Sequence, residues 1–246
     1  MEWSEDFSYS YLEKLYQQVR EKFRVRQLRE VPTSLDGEAS AFLRHDIDIC
    51  LDRMKNLGQW EHGLGFKSTY HVMLNSPFYD PKEIENKKIL RQMLDWGHEI
   101  GLHYDPALAV GSETDVVNSI QENCKALENV IGQPVKSLSF HRPPPGYLSG
   151  PQFVAERVNA YGSELFKWYL SDSAGRWREG APHLSLSKPR NKHLQILVHP
   201  AWWGEKHLNP KERMWEFVKE KSKKLGWTTD HTNKILFNHA GVRGLP

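Results

Sequence analysis

A single barrel-like α/β domain is what this sequence predicts, and three observations lead to it. Segments of strand character alternate with helix-period segments of roughly 10–20 residues, a pattern that implies βαβ units and parallel pairing. Polar residues of the kind that bind metals or move protons fall at the C-terminal ends of successive strands. The 246 residues contain no internal repeat, no low-complexity tract and no Pro/Gly linker, and that length suffices for one sizeable core.

The elements follow in order. "SYSYLEKLYQQVREKFRV" places apolar residues at Tyr11, Leu12, Leu15, Tyr16, Val19 and Phe23, a 3.6-residue period, and predicts an amphipathic helix outside the main core. "AFLRHD" reads as a strand and "LDRMKNLGQWEHGLG" as a helix ended by Gly63 and Gly65. "FKSTYHVML" is strand-like, and "KEIENKKILRQMLDWG" is a helix stopped by Gly97. "HEIGLHYD" is a short strand, "SETDVVNSIQENCKALENVIG" a helix that Ser112 can cap, and "VKSLSFHRP" a strand again. Beyond it "ELFKWYLSD", "HLSLS" and "LQILVHP" read as strands, and "KERMWEFVKEKSKKLG" is the last clear helix. The expected organisation is a helical extension over residues 1–30 and a barrel domain over 31–246.

Composition narrows the function classes. Charged residues are 26% and hydrophobic ones 39%, ordinary for a globular protein. Lys+Arg 33 against Asp+Glu 31 leaves a net charge of +2, so no global field favours nucleic acid. No run of 18 apolar residues marks a transmembrane segment, and the start "MEWSEDFSYS" is acidic and polar, unlike a secretory signal. Cys50 and Cys124 lack metal or redox spacing. A cytoplasmic location is the expectation.

The chemistry concentrates in "RHDIDIC". Asp46 and Asp48 are two apart and share one face of a strand. Carboxylates so close resist joint ionisation unless a cation or a proton lies between them. Further ligand-type residues end the later strands: His103 and Asp105, His141 and Arg142, Asp172, and His199. In parallel barrels, strand C-termini gather on one face, where active sites form.

"RHDID", "GHEIGLHYD", "RPPPG" and "ILVHP" resemble, in order, motifs of the polysaccharide deacetylase (NodB-homology) superfamily, from about residue 40 to residue 200. More narrowly, the chain resembles the deacetylase-like proteins encoded with bacterial O-antigen or capsule sugar genes. The resemblance implies a distorted (β/α)7-type barrel, one divalent metal ion (zinc above all) and hydrolysis of an N-acyl amide on an amino sugar. It implies that Asp46 is the catalytic base and Asp48 a metal ligand. It makes His103 the first metal histidine, Arg142 the arginine that orients the base, and His199 the general acid. The superfamily's second metal histidine stands four residues after the first, and here that position is Ala107. His141 and Asp105 are the two replacements within reach. His141 is favoured, because Asp48, His103 and His141 make a mixed N/O set with an open position. Asp105 could then orient His103. His98, at a strand start, is read as structural.

For substrate, Asp172 and the loop residues Arg176, Trp177 and Arg178 offer charge and a stacking ring, and Trp202 or Trp203 an acyl pocket. The expected activity is removal of an acetyl or formyl group from an amino sugar in surface-polysaccharide biosynthesis, with a nucleotide- or lipid-linked sugar favoured over finished polymer. Two other readings remain open at this stage: an inactive barrel that binds carbohydrate or joins a complex, and hydrolysis of a non-sugar amide.

Overall fold

The computed structural model describes residues 6–31, 37–109, 111–143, 145–242 and 244. Pro144, in the middle of the Pro-rich motif, lies outside the described residues.

The strands are β1 (Arg24–Arg26), β2 (Ser40–Ile47), β3 (Thr69–Val72), β4 (Glu99–Tyr104), β5 (Ser137–Phe140), β6 (Phe153–Val154), β7 (Arg157–Asn159), β8 (Tyr169–Ser171) and β9 (His193–Val198). Their order across the sheet is β6-β7-β5-β4-β3-β2-β9-β8. Every pairing from β7 through to β8 is parallel, a path of seven strands; β6 adds an antiparallel edge, and β1 pairs with the first half of β2. The helices are α1 (Tyr9–Lys22), α2 (Leu51–Gly63), α3 (Ile84–Asp95), α4 (Glu113–Ile131), α5 (Ser163–Phe166), α6 (Pro182–Ser185), α7 (Pro210–Leu225) and α8 (Thr229–Ala240). The fold is thus an α/β one with a curled parallel sheet, a distorted barrel, and an N-terminal helix is present.

All eight residues of β2 are buried, as a central strand covered on both faces requires. The alternation along β2 explains the two layers. Leu43 and Ile47 join the large outer core with Leu57 of α2. Phe42, on the other face, belongs to a small inner cluster with Leu28, Val31, Val158 and Leu165. Phe42, Arg44, Asp46 and Asp48 therefore climb one inner face, from an apolar plug to a polar top. The sheet curls until its far ends meet through side chains. Gln195 Nε2 of β9 donates to Ala160 O just past β7 (2.8 Å), the Arg44 guanidinium lies 4.3 Å over the Tyr161 ring, and Tyr161 approaches Tyr169 of β8 at 6.2 Å. These contacts close the gap between β7 and β8 that no ladder bridges.

Several expectations are corrected. The N-terminal helix does not lie outside the core: Leu12, Leu15, Tyr16 and Val19 of α1 share the cluster of β2 and α2. "HLSLS" is not a strand: its first three residues, His183–Ser185, belong to α6, because Pro182 occupies the first helical turn, where its fixed φ and missing N–H suit a helix start. "ELFKWYLSD" splits into α5 and β8. The β6–β7 hairpin escaped notice because Ala155 and Glu156 take left-handed φ values of 48° and 62°, the geometry usually signalled by Asn-Gly. Helix α8, capped by the Thr228 side chain, was missed too; it ends at Gly241 with φ 70°.

Gly101 in β4 is tightly enclosed. A Cβ there would lie 2.5 Å from His71 Cδ2 and 2.8 Å from the Ser137 backbone O, and the backbone atom cannot step aside. Gly101→Ala is expected to destabilise the fold by about 1–3 kcal/mol through overpacking. Urea denaturation of the variant would measure it, and an unchanged midpoint would contradict this account of the strand.

Candidate metal and proton-transfer site

Five strand ends converge on a cavity of about 550 Å³. Asp46 and Asp48 stand at the end of β2, His103 on β4, His141 and Arg142 after β5, Ser171 and Asp172 at the end of β8, and His199 after β9. Asp46, Asp48, His103, His141, Arg142 and His199 all line the cavity, as do Tyr161, Tyr169, Arg178 and Trp202.

Asp48, His103 and His141 each offer one ligand atom, and the three atoms lie within 4.8 Å of one another. Their hydrogens can be assigned from their outer partners. His141 Nε2 lies 2.9 Å from His239 O, which only accepts, so this nitrogen carries the hydrogen. Ser139 Oγ donates its single hydrogen to Asp46 Oδ1 (3.0 Å) and so accepts from His103 Nδ1 (2.7 Å). In neutral rings, His103 Nε2 and His141 Nδ1 are then lone pairs 3.3 Å apart, facing Asp48 Oδ1 at 2.9 and 3.1 Å. Three acceptors with no hydrogen among them require a cation. A proton can serve. Burial opposes charge on His141, but Asp48 beside it drives its pKa up; burial likewise works against the Asp48 carboxylate, and the two histidines overcome it and hold it well below its usual range. The same donors, two imidazole nitrogens and one carboxylate beside the cavity, also make a set that can hold a divalent ion.

Asp46 is handled separately. Arg44, fully buried, grips it with two bonds, Nε to Oδ1 (3.0 Å) and Nη2 to Oδ2 (2.6 Å). Burial favours the neutral acid, yet Arg44 and then His103 outweigh it, so Asp46 stays ionised well below its ordinary pKa. His71 Nδ1 sits 3.4 Å away, and burial pushes the His71 pKa down to about 4, so this ring is neutral. On the opposite wall, Asp172 accepts from the His199 backbone N (3.0 Å), His199 Nδ1 (2.6 Å) and Trp203 Nε1 (2.7 Å). Burial opposes the imidazolium, but Asp172 prevails and raises the His199 pKa to about 9. His199 Nε2 faces Asp48 Oδ2 at 3.9 Å.

The geometry places five of the expected site residues elsewhere or in other contacts. Arg142 does not orient Asp46; its guanidinium is exposed and donates to Asn238 O (2.9 Å), while Arg44 holds the carboxylate. Asp105 does not support His103; it accepts from Ala107 N (3.0 Å) and Asn75 Nδ2 (3.4 Å), and Ser139 holds His103. Asp172 is buried behind His199 and positions it, with no surface for substrate. Trp177 is a core residue packed edge-on to Trp203 at 6.2 Å, and Arg176 is exposed away from the cavity lining, whereas Arg178 contributes to it. His98 is structural, bonded to Gly58 O and Ser68 N.

Sequence reading missed Arg44, Ser139, His71 and His239. The first carried a signal, being two residues before Asp46 on the same strand face. His239 had none, since its helix was not read.

No family model matches the chain, and no curated protein matches it. Solved structures do. The structure is similar to those of CE4 family proteins, at low identity. A CE4 family pseudoenzyme from Bacillus anthracis matches with 14% identity and a TM-score of 0.48, over 88% of this chain and 78% of that one. A mutant of the same pseudoenzyme, with restored enzymatic activity, matches with 16% identity and a TM-score of 0.46, over 77% of this chain and 63% of that one. This chain therefore spans less than two thirds of the mutant's length. A mutant of the peptidoglycan deacetylase PdaC from Bacillus subtilis matches with 14% identity and a TM-score of 0.47, over 85% and 95% of the two chains. Among the described residues no helix is long and apolar enough to cross a membrane.

The Asp172–His199 pair gives a pH prediction. Because the folded pKa of His199 is raised to about 9, its contribution to stability is complete below an ordinary histidine pKa of about 6.5 and is lost as pH rises through about 9. Asp172→Asn should remove it. Imidazole NMR titration of chelator-treated protein is expected to show His199 near 9 in the wild type and at or below its ordinary value in the variant. The stability gap between the two should shrink between pH 6 and pH 10; a constant gap would contradict the assignment.

Proposed function

We propose that this protein is a metal-dependent hydrolase that removes an N-acyl group, acetyl or formyl, from an amino sugar. The observation that carries the reading is the convergence of one ligand atom each from Asp48, His103 and His141, all within 4.8 Å of one another. Zinc is the metal proposed, since the donors are two imidazoles and one carboxylate with an open side. Bound there, a divalent ion supplies a Lewis acid for an amide carbonyl.

The chain's own residues supply the proton transfers. Asp46 and His199 line one cavity with pKa values pushed in opposite directions, the arrangement that assigns a base and an acid. Asp46, ionised across the neutral range and fixed by the Arg44 fork, accepts the proton of the attacking water. His199, protonated at neutral pH and fixed by Asp172, presents Nε2–H to the cavity and donates to the leaving amine. Tyr161, Tyr169 and Phe166 offer rings to a sugar face, and the cavity volume suits a small ligand. Exposed Arg142 and Arg178 on its lining favour a sugar that carries phosphate, as nucleotide- and lipid-linked sugars do. On this reading the substrate is a carrier-linked amino sugar of surface-polysaccharide synthesis.

Purified protein is expected to hold about one equivalent of a divalent ion, and His141→Ala to lose most of it by elemental analysis; undiminished content would exclude His141 as a ligand. A metal-replete hydrolysis screen over nucleotide- and lipid-linked acylamino sugars tests the activity. In that screen Asp46→Asn should retain its metal while turnover falls about 10²–10⁴-fold, the range for a general base. Near wild-type turnover would remove Asp46 from the role, and inactivity of the wild type on every substrate, metal bound, would favour a binding protein.

A further inference from the structure

The C-terminal helix reaches into the metal centre. His239, on the last turn of α8, touches two of the three proposed ligands by different groups. Its backbone O accepts from His141 Nε2 at 2.9 Å. Its imidazole Nε2 donates to the backbone O of Asp48 at 3.1 Å, and its ring stacks on that of His141 with centroids 4.7 Å apart and planes 21° from parallel. Neither bond is a by-product of ordinary helix packing. The carbonyl at position 239 is one of the four at a helix C-terminus that lack an intrahelical partner, and Gly241, with φ 70°, turns the chain away so that it stays available. Arg142 covers the neighbouring orphan, Asn238 O.

We infer that His239 is a positioning residue of the metal centre, which fixes the tautomer and ring plane of His141 and the main chain at Asp48 together. The inference rests on the metal reading proposed above. Its logic is general: a histidine ligand needs its second nitrogen held by an acceptor, or the ring rotates and the wrong nitrogen faces the metal. On this barrel, His103 receives that support from inside the sheet, through Ser139. His141 stands beyond the end of β5, and α8 is the element that supplies its acceptor. The Nε2–H bond to the Asp48 main chain then makes the support depend on the side chain at 239, because a backbone carbonyl alone would be present with any residue there.

The test uses zinc as the probe and the full chain. His239→Phe keeps the size and the stack but removes the Nε2–H, while His239→Gln restores an amide donor of similar reach. Competition against a chromophoric chelator should show zinc affinity about 2–10-fold weaker in the Phe variant, the ordinary worth of one hydrogen bond, with part of the loss recovered in the Gln variant. Melting of chelator-treated protein separates folding damage from ligand positioning: the zinc-induced rise in Tm should shrink in the Phe variant and be regained in the Gln variant. Wild-type zinc affinity in the Phe variant would overturn the inference and leave the metal reading standing. A loss that Gln does not relieve, matched by an equal fall in metal-free stability, would also overturn it. If the wild-type chain takes up no zinc, the metal reading fails and the inference falls with it.

Discussion

The structure depends on how two carboxylates two residues apart are kept charged at the top of a covered barrel. Asp46 and Asp48 leave the same face of β2, and burial raises the cost of ionising either. Each has its own solution. Asp46 is neutralised within the strand by Arg44, whose fork reaches both oxygens. Asp48 is held in its charged form from outside the strand, by His103 and His141. The pair is therefore not a shared-proton dyad, in which one carboxyl must be neutral, but two anions, each compensated mainly by its own partners, Arg44 for Asp46 and the two imidazoles for Asp48. Removing Arg44 alone would leave a buried charge without its partner, a defect worth about 3–5 kcal/mol, so this arginine serves the fold and the site at once.

Arg44 also explains why the barrel can be incomplete. Between β7 and β8 no backbone ladder forms, and the guanidinium fills the gap by lying over Tyr161, which in turn meets Tyr169. A cation over an aromatic face away from water is an attractive contact as well as a filler. The ring that closes the barrel then becomes a wall of the cavity, next to the carboxylate that Arg44 grips. Closure and site are one construction here: the side chain that seals the sheet orients the proposed base.

Much of this was legible in the sequence, and what was not has physical reasons. The four-fold alternation from β2 to β5 was readable because each helix there carries a clean apolar stripe and a terminator such as Gly97 or Gly132. Strand-end positions of Asp46, His103 and His141 followed from that alternation, and that of His199 from the apolar run in "LQILVHP". The second half was harder. Pro182 turns an alternating stretch into a helix, the β6–β7 turn uses Ala155 and Glu156 in place of Gly or Asn, and α8 has few apolar residues to mark its period. Among site residues, Arg142 was assigned on motif position, yet the closer arginine on the strand itself was Arg44. Side-chain direction along a strand is local and could have decided that; support for His141 from a helix nearly a hundred residues later could not.

The proposed third donor stands at a strand end and not on the turn after β4. Ala107 sits in an exposed 3-10 turn, Pro106–Leu108, held by the Asp105 carboxylate, whereas His141 follows directly from β5. A donor at a strand end inherits the rigidity of the sheet, which loop donors lack. The sheet fixes only the backbone, however, and the ring still has a free rotation about χ1 and χ2. On that side the short β7 pairs with β5 only at Ser137 and Leu138, so the ladder stops before His141 and offers no acceptor to Nε2. An acceptor must come from outside the sheet, and a helix C-terminus is rich in unpaired carbonyls. A strand-end donor at position 141 and a helix ending at Gly241 thus complement each other physically: one supplies a fixed origin, the other a fixed direction, and the lone pair of Nδ1 is aimed only when both are present.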